Sequence, residues 1–160
     1  MRIGFIGTGT ISAAVIEGLQ SLPEAPEIVV SPRSEGTSLA LAAKFKRVTR
    51  AATNAEVAQA DIVFLGMRPA HLEEAIAGLD FTANQILVSM VAGFSLDAIR
   101  KRWPKPTVCR FIPMPGIARG VGPMATYPAV PESVKRCSPL GDLFGVAEGR
   151  KLRFGGLPAC

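Results

Sequence analysis

The chain has 160 residues, of which 48% are hydrophobic and 19% charged, and its formal net charge is +5 at pH 7. This length and composition fit one globular domain with a core and exclude a disordered chain, which would be poorer in apolar residues. No apolar run reaches the roughly 18 residues of a membrane span. The basic residues are scattered and no signal peptide is recognised, so we expect neither a nucleic-acid nor a membrane partner.

Metal-binding and disulfide chemistry are also unexpected. The three cysteines, Cys109, Cys137 and Cys160, are odd in number and far apart, which favours a reducing, cytoplasmic location. His71 is the single histidine, so a conventional zinc site built from His and Cys is excluded.

Short β-like runs alternate with helical patterns up to residue 112. The predicted strands are residues 2–6, 27–31, 47–49, 61–67, 85–92 and 107–112. The predicted helices run from Ile11 to before Pro23, over residues 37–45, from a capping box at 53–56, after Pro69 and after Ser95. Such alternation predicts an α/β fold with a doubly wound, mostly parallel sheet of the Rossmann type, with six to eight strands and helices on both faces.

The texture changes after Pro113, where prolines cluster and the alternation stops. Residues 121–127 and 151–154 are predicted as added strands, and residues 134–144 as an interrupted helix. We therefore predict a Rossmann-type domain over residues 1–130 and a C-terminal extension over residues 131–160.

The first predicted strand runs directly into Gly7-Thr8-Gly9-Thr10-Ile11-Ser12, and a helix follows. This is a near match to the dinucleotide motif G-x-G-x-x-[GA]. Gly7 permits the tight turn, Gly9 lets a pyrophosphate approach the backbone, and the amides that open the helix point at the phosphates. Ser12 replaces the third glycine or alanine but is small enough for close packing. The alternative is a glycine-rich turn without a ligand.

The end of the second strand indicates which dinucleotide is expected. NAD sites usually carry Asp or Glu there, whereas this chain has Ser31, followed by Arg33 and Ser34. A guanidinium and two hydroxyls suit a 2′-phosphate. The sequence therefore favours NADP over NAD, and the alternative is that Arg33 is an ordinary loop arginine in a site that accepts both.

Six motifs in one order carry a family resemblance. They are I-G-F-I-G-T-G-T-I (3–11), S-P-R-S (31–34), N-A-E-V (54–57), F-L-G-M-R-P (64–69), V-S-M-V-A-G (88–93) and R-F-I-P-M-P (110–115). The set resembles the N-terminal domain of pyrroline-5-carboxylate reductases, over roughly residues 1–130. The resemblance implies NADPH-dependent reduction of a small cyclic imine acid in proline biosynthesis.

The resemblance also implies cofactor contacts at the carboxyl ends of the strands. The pyrophosphate would be lined by Ile6, Gly7, Thr8, Gly9, Thr10 and Ile11. The adenosine side would be held by Ser31, Arg33 and Asn54, with Ser34 added from the residue chemistry. Gly66, Met67, Arg68 and Pro69 match the family's A-V-K-P, and Ser89, Met90, Val91 and Ala92 match its S-x-A-A near the nicotinamide. Alternatively, Met67 is a core residue and Arg68 a solvated charge.

Two departures from the family pattern stand out. Gly116 follows Met114 and Pro115 where the family has M-P-N, which removes an amide side chain. The family continues into a helical domain that forms the dimer and much of the substrate pocket, and we expect this domain to be absent. No catalytic residue is identified, and His71 is interpreted as a surface residue.

Three functions remain open. The first is an NADP-dependent imine reductase of this type, and the second is a dinucleotide-binding module without turnover. The third is a related two-domain reductase that acts on hydroxyacids or a deazaflavin. An uncovered apolar face or edge strand would also promote self-association, so we expect a homodimer or larger assembly.

Overall fold

Eight strands form one sheet in the computed structural model, which describes residues 1–119, 123–128 and 142–145. The strands are β1 (Arg2–Ile6), β2 (Glu27–Val30), β3 (Val48–Arg50), β4 (Ile62–Leu65), β5 (Ile86–Ser89), β6 (Thr107–Pro113), β7 (Pro123–Tyr127) and β8 (Asp142–Gly145). The helices are α1 (Thr10–Gln20), α2 (Glu35–Lys44), α3 (Asn54–Val57), α4 (Leu72–Ile76) and α5 (Leu96–Arg102), with 3₁₀ turns at Pro69–His71 and Pro115–Arg119.

The strand order is β3-β2-β1-β4-β5-β6-β7-β8. The six strands β1 to β6 are parallel to one another, β7 runs antiparallel to β6, and β8 is parallel to β7. The chain leaves β1 toward β3 and then crosses back to β4 on the other side of β1. This reversal is the place where doubly wound sheets bind ligands, outside the carboxyl ends of the strands. The predicted Rossmann-type sheet is confirmed.

Apolar side chains cover both faces of the sheet, as a sheet between two helical layers requires. On one face Phe5 and Phe64 stack with ring centroids 4.7 Å apart, and Phe111 meets Phe64 edge-on. On the other face Phe81 packs edge-on against Trp103, with ring centroids 5.0 Å apart. All four residues of β4 are buried, which explains its uninterrupted apolar sequence.

The start of α3 is stabilised by the capping groups that the sequence predicts. Thr53 Oγ1 accepts a hydrogen bond from the Glu56 amide, and the Glu56 carboxylate accepts one from the Ala52 amide. The segment after Pro69 is shorter than predicted: a 3₁₀ turn precedes α4, which ends at Ile76. Gly78 then turns the chain at a φ of 72°, so Leu79 lies beyond the helix.

The C-terminal predictions have mixed outcomes. The strand predicted over residues 121–127 is confirmed for residues 123–127, which form β7, whereas residues 121 and 122 lie outside the described residues. The helix predicted over residues 134–144 is wrong at its end, since residues 142–145 form β8 and pair in parallel with β7. Pro139 and Gly141 disfavour a helix there, and the edge of β7 offers hydrogen-bond partners. The rest of that range, and the strand predicted over residues 151–154, lie outside the described residues.

Within the described ranges, no helix combines the length and the apolar character needed to cross a bilayer. The same residues contain no group of three or more His, Cys, Asp or Glu side chains arranged to hold a metal ion.

Candidate dinucleotide-binding site

A cleft of about 510 Å³ opens at the carboxyl ends of β1, β2 and β4, a volume in the usual range for small-molecule sites. Fourteen predicted site residues line it: Ile6, Gly7, Thr8, Gly9, Thr10, Ile11, Ser31, Arg33, Ser34, Asn54, Gly66, Met67, Arg68 and Met90. Ser12, His71 and Ala75 line it as well. The topology therefore brings most of the predicted site together.

Four predicted contacts are not among the residues that line the cleft. Ser89 and Val91 are fully buried, whereas Pro69 and Ala92 are exposed. The amide of Val91 donates to Ser89 Oγ at 3.4 Å, which uses that hydroxyl within the loop. As cofactor contacts, these four residues stay predictions.

The turn between β1 and α1 is held by short contacts that require glycine. Gly7 has a φ of 94°, and a Cβ added there would lie 2.6 Å from the carbonyl oxygen of Gly66. The Gly7 amide donates to Ser31 Oγ at 2.9 Å, and Ser31 is fully buried. Ser31 thus supports the glycine loop, a role that its position at the end of β2 did not predict.

A second hydroxyl joins the glycine loop to the loop that carries Arg33. Thr8 is fully buried, and its Oγ1 donates to the Arg33 carbonyl oxygen at 2.9 Å. This hydrogen bond therefore fixes the distance between the two loops. One is the glycine loop, which is expected to bind the pyrophosphate, and the other carries Arg33, which is expected to bind the 2′-phosphate.

The beginning of α1 is open to an anion. Gly9 is the N-cap residue and makes no side-chain capping hydrogen bond, and no acidic residue lies in the first turn. Among the described residues, beyond the adjacent residues and the helix backbone, the one atom within 4 Å of a Cβ added at Gly9 is the Gly66 carbonyl oxygen, 3.9 Å away. The first amides of a helix have no intrahelical acceptor and sit at the positive end of its dipole. They can therefore bind a phosphate that approaches over Gly9.

Ser12 and Gly66 fit each other at the base of the cleft. Ser12 is buried, and its hydroxyl lies 3.4 Å from the Gly66 carbonyl oxygen. A Cβ on Gly66 would lie 2.1 Å from Ser12 Oγ and 2.8 Å from Met90 Cε. Serine in place of the third small residue and glycine in place of the family's alanine are thus complementary.

Arg33 lies at the mouth of the cleft and contacts the opposite wall. Its Nη1 lies 2.6 Å from Glu74 Oε2, and its Nη2 lies 3.4 Å from His71 Nδ1. The hydrogen bond and the charge of Arg33 lower the pKa of Glu74 below its ordinary value. The sequence pointed to Arg33 but not to its partners, because Glu74 lies 41 positions away and no local pattern links them.

The loop that carries Arg33 is braced from β3. Arg50 Nε donates to Ser38 Oγ at 3.1 Å, and its Nη2 donates to the Pro32 carbonyl oxygen at 3.2 Å. Ser34 is exposed and takes a left-handed backbone with a φ of 61°. Its hydroxyl therefore lies on a supported loop beside the cleft.

Asn54 provides an acceptor that suits a nucleotide. Its Nδ2 donates to the Ala75 carbonyl oxygen at 2.8 Å, while its buried Oδ1 has no hydrogen-bond partner in the described part of the chain. A buried acceptor left unpaired costs about 1–3 kcal/mol. A ribose hydroxyl or an adenine amino group in the cleft would satisfy it, so the residues present fit a dinucleotide.

Arg110 fixes the loop that follows β5. Its Nη1 donates to the Val91 carbonyl oxygen at 2.8 Å, and its Nη2 to that of Phe94. Burial lowers the pKa of Arg110. This arginine belongs to a motif that carried the family resemblance, but no local pattern indicated that it anchors the segment near the expected nicotinamide.

Comparisons with known proteins agree with this geometry. Residues 2–93 match the family model described as NADP oxidoreductase coenzyme F420-dependent. A pyrroline-5-carboxylate reductase of Pseudomonas aeruginosa is 30% identical over 150 residues, which are 89% of this chain and 54% of that protein.

Two solved structures are similar in fold. The 1-pyrroline-5-carboxylate reductase of Streptococcus pyogenes has a TM-score of 0.72 at 25% identity, over 92% of this chain and 59% of that one. The Plasmodium falciparum pyrroline carboxylate reductase with NADP bound has a TM-score of 0.75 at 15% identity, over 92% of this chain and 58% of that one.

The chain spans about half the length of the curated relatives it matches. The resemblance to the N-terminal domain of pyrroline-5-carboxylate reductases is confirmed. Because the family model covers more than half of the residues, the chain belongs to the family of NADP oxidoreductases described as coenzyme F420-dependent.

Proposed function

We propose that this protein binds NADPH and serves hydride transfer to the C=N carbon of a small cyclic imine acid, as the names of its relatives suggest. The observation that carries the proposal is that the glycine turn, the first residues of α1 and Arg33 all line one cleft. When bound, the reduced nicotinamide supplies the hydride. We place the protein in the cytoplasm, in keeping with its cysteine pattern.

The roles of the residues follow from their positions. The amides at the start of α1, after Gly9, bind the pyrophosphate, and Arg33 with Ser34 binds the 2′-phosphate. Asn54 Oδ1 accepts a hydrogen bond from the adenosine. Met90 lines the cleft next to Gly66 and packs beside the nicotinamide.

A titration with NADPH and NADH tests the cofactor assignment. In Arg33→Glu we expect NADPH affinity to fall roughly tenfold to a hundredfold, because a charge-assisted hydrogen bond is lost and a repulsive charge added. NADH affinity should change far less. Arg47→Glu is the matched control, since Arg47 pairs with Glu27 at 3.8 Å and does not line the cleft.

Absence of binding of both nucleotides to the unmodified protein would overturn the proposal. Equal losses for NADPH and NADH in Arg33→Glu would overturn the choice of NADPH. Calorimetry or the fluorescence of the reduced nicotinamide gives both affinities.

The family description favours one second candidate, a reaction with coenzyme F420. Assays with NADPH and pyrroline-5-carboxylate, and with NADPH and oxidised F420, separate the two. Intact binding without turnover in either assay would favour a dinucleotide-binding module. The expected self-association stays a prediction.

A further inference from the structure

The contact between Arg33 and Glu74 bears on the choice between NADPH and NADH. This inference rests on the proposed dinucleotide site and names a residue that the motifs did not indicate. Arg33 follows β2, whereas Glu74 lies on α4, which borders the other side of the cleft mouth. Their side chains meet at 2.6 Å, and both are well exposed, at 47% and 72% of their side-chain surface.

The guanidinium of Arg33 is occupied by protein groups at both terminal nitrogens. Nη1 donates to Glu74, and Nη2 lies 3.4 Å from His71 Nδ1. Because arginine is a donor only, the imidazole must accept in this contact. A 2′-phosphate is bound by the same donors and the same positive charge, so it competes with Glu74 for Arg33.

Binding of NADH involves no competition with Glu74 for Arg33. With a 2′-hydroxyl in place of the phosphate, Arg33 keeps Glu74, and its positive charge stays neutralised beside the ribose. The usual carboxylate of an NAD site is missing from the end of β2, where Ser31 stands, and Glu74 on α4 instead places a carboxylate against Arg33. An exposed ion pair contributes little free energy, so the exchange is readily reversible.

We propose that Glu74 is a specificity-determining residue. It competes with the 2′-phosphate for Arg33 and thereby lowers the ratio of NADPH affinity to NADH affinity. Removal of Glu74 raises the ratio of NADPH to NADH affinity, because the phosphate then finds Arg33 free of its ion pair with Glu74.

Glu74→Gln is the direct test, because it removes the charge but keeps the size of the side chain. We expect NADPH and 2′,5′-ADP to bind roughly two- to fivefold more tightly, which corresponds to the strength of an exposed ion pair. NADH and 5′-ADP should bind within experimental error of the unmodified protein. The gain should shrink at high salt, since exposed charges are screened.

Glu73→Gln is the matched control. Glu73 is the preceding residue of α4, and its carboxylate pairs with Arg102 at 2.7 Å instead of with Arg33. The substitutions Glu73→Gln and Glu74→Gln change the net charge by the same amount, so a general electrostatic effect would appear in both variants. Glu74→Ala should shift NADPH affinity in the same direction as Glu74→Gln.

A second test places both changes in one protein. In an Arg33→Gln background, Glu74→Gln should leave the ratio of NADPH to NADH affinity unchanged, since the competition has been removed. Weaker NADPH binding in Glu74→Gln, an equal change for both nucleotides, or a match with Glu73→Gln would overturn the inference while the dinucleotide site stands. If the unmodified protein binds neither nucleotide, the proposed function fails and this inference fails with it.

Discussion

The cleft has two parts built on different physics. Its floor, formed by Gly7, Thr8, Ser12, Ser31 and Gly66, consists of buried hydroxyls and closely packed backbone. Its rim, formed by Arg33, Arg68, His71 and Glu74, is exposed and charged. The floor has one arrangement because a bulkier atom has no space there. The rim can change partners at low cost, which suits the choice between similar cofactors.

The largest effect should follow a change in the floor. Gly7→Ala places a Cβ 2.6 Å from the Gly66 carbonyl oxygen on a backbone with a φ of 94°. We expect the free energy of unfolding to fall by roughly 2–5 kcal/mol, from backbone strain and overpacking together. Urea unfolding measures it.

The control for that change is Gly36→Ala in α2, where no other part of the described chain, beyond the adjacent residues and the helix's own backbone, lies within 4 Å of an added Cβ. This variant should be unchanged or more stable, by up to about 1 kcal/mol. If Gly7→Ala behaved like Gly36→Ala, the floor would not be the rigid part of the cleft.

A smaller effect should follow Gly66→Ala, because its Cβ meets a side chain that can be removed. The added Cβ lies 2.1 Å from Ser12 Oγ, and such overpacking costs about 1–3 kcal/mol. Combining it with Ser12→Ala should recover part of the loss. Additive losses in the double variant, measured by the same unfolding experiment, would contradict the complementary fit of the two residues.

The smallest effect on stability should come from the rim. Glu74→Gln breaks an exposed ion pair, so we expect no measurable change in melting temperature, although nucleotide preference changes. Differential scanning calorimetry of Glu74→Gln beside Glu73→Gln checks this. A clear drop in melting temperature for Glu74→Gln alone would show that the rim also stabilises the fold. The rim and the floor would then not differ in their contribution to stability as we expect.

Much of the fold could be predicted from local pattern. Apolar runs such as that of β4 indicated central parallel strands, and capping residues such as Thr53 and Ser95 marked the starts of helices. The C-terminal extension was predicted less well, since β8 occupies part of an expected helix. Its strand character comes from pairing with β7, which is a partner that the local sequence does not show.

By itself, the sequence determined the glycine turn and the order of strands and helices up to β6, and it singled out Arg33 as the expected ligand for a phosphate. Each of these depends on neighbouring residues, through backbone freedom, periodicity or capping. Only the tertiary structure decided that Ser31 supports the glycine loop, that Arg110 anchors the loop after β5, and that Glu74 and His71 contact Arg33. These contacts join residues 16 to 41 positions apart. They exist because parallel strands bring the loops at their carboxyl ends to the same end of the sheet, however far apart these loops lie along the chain.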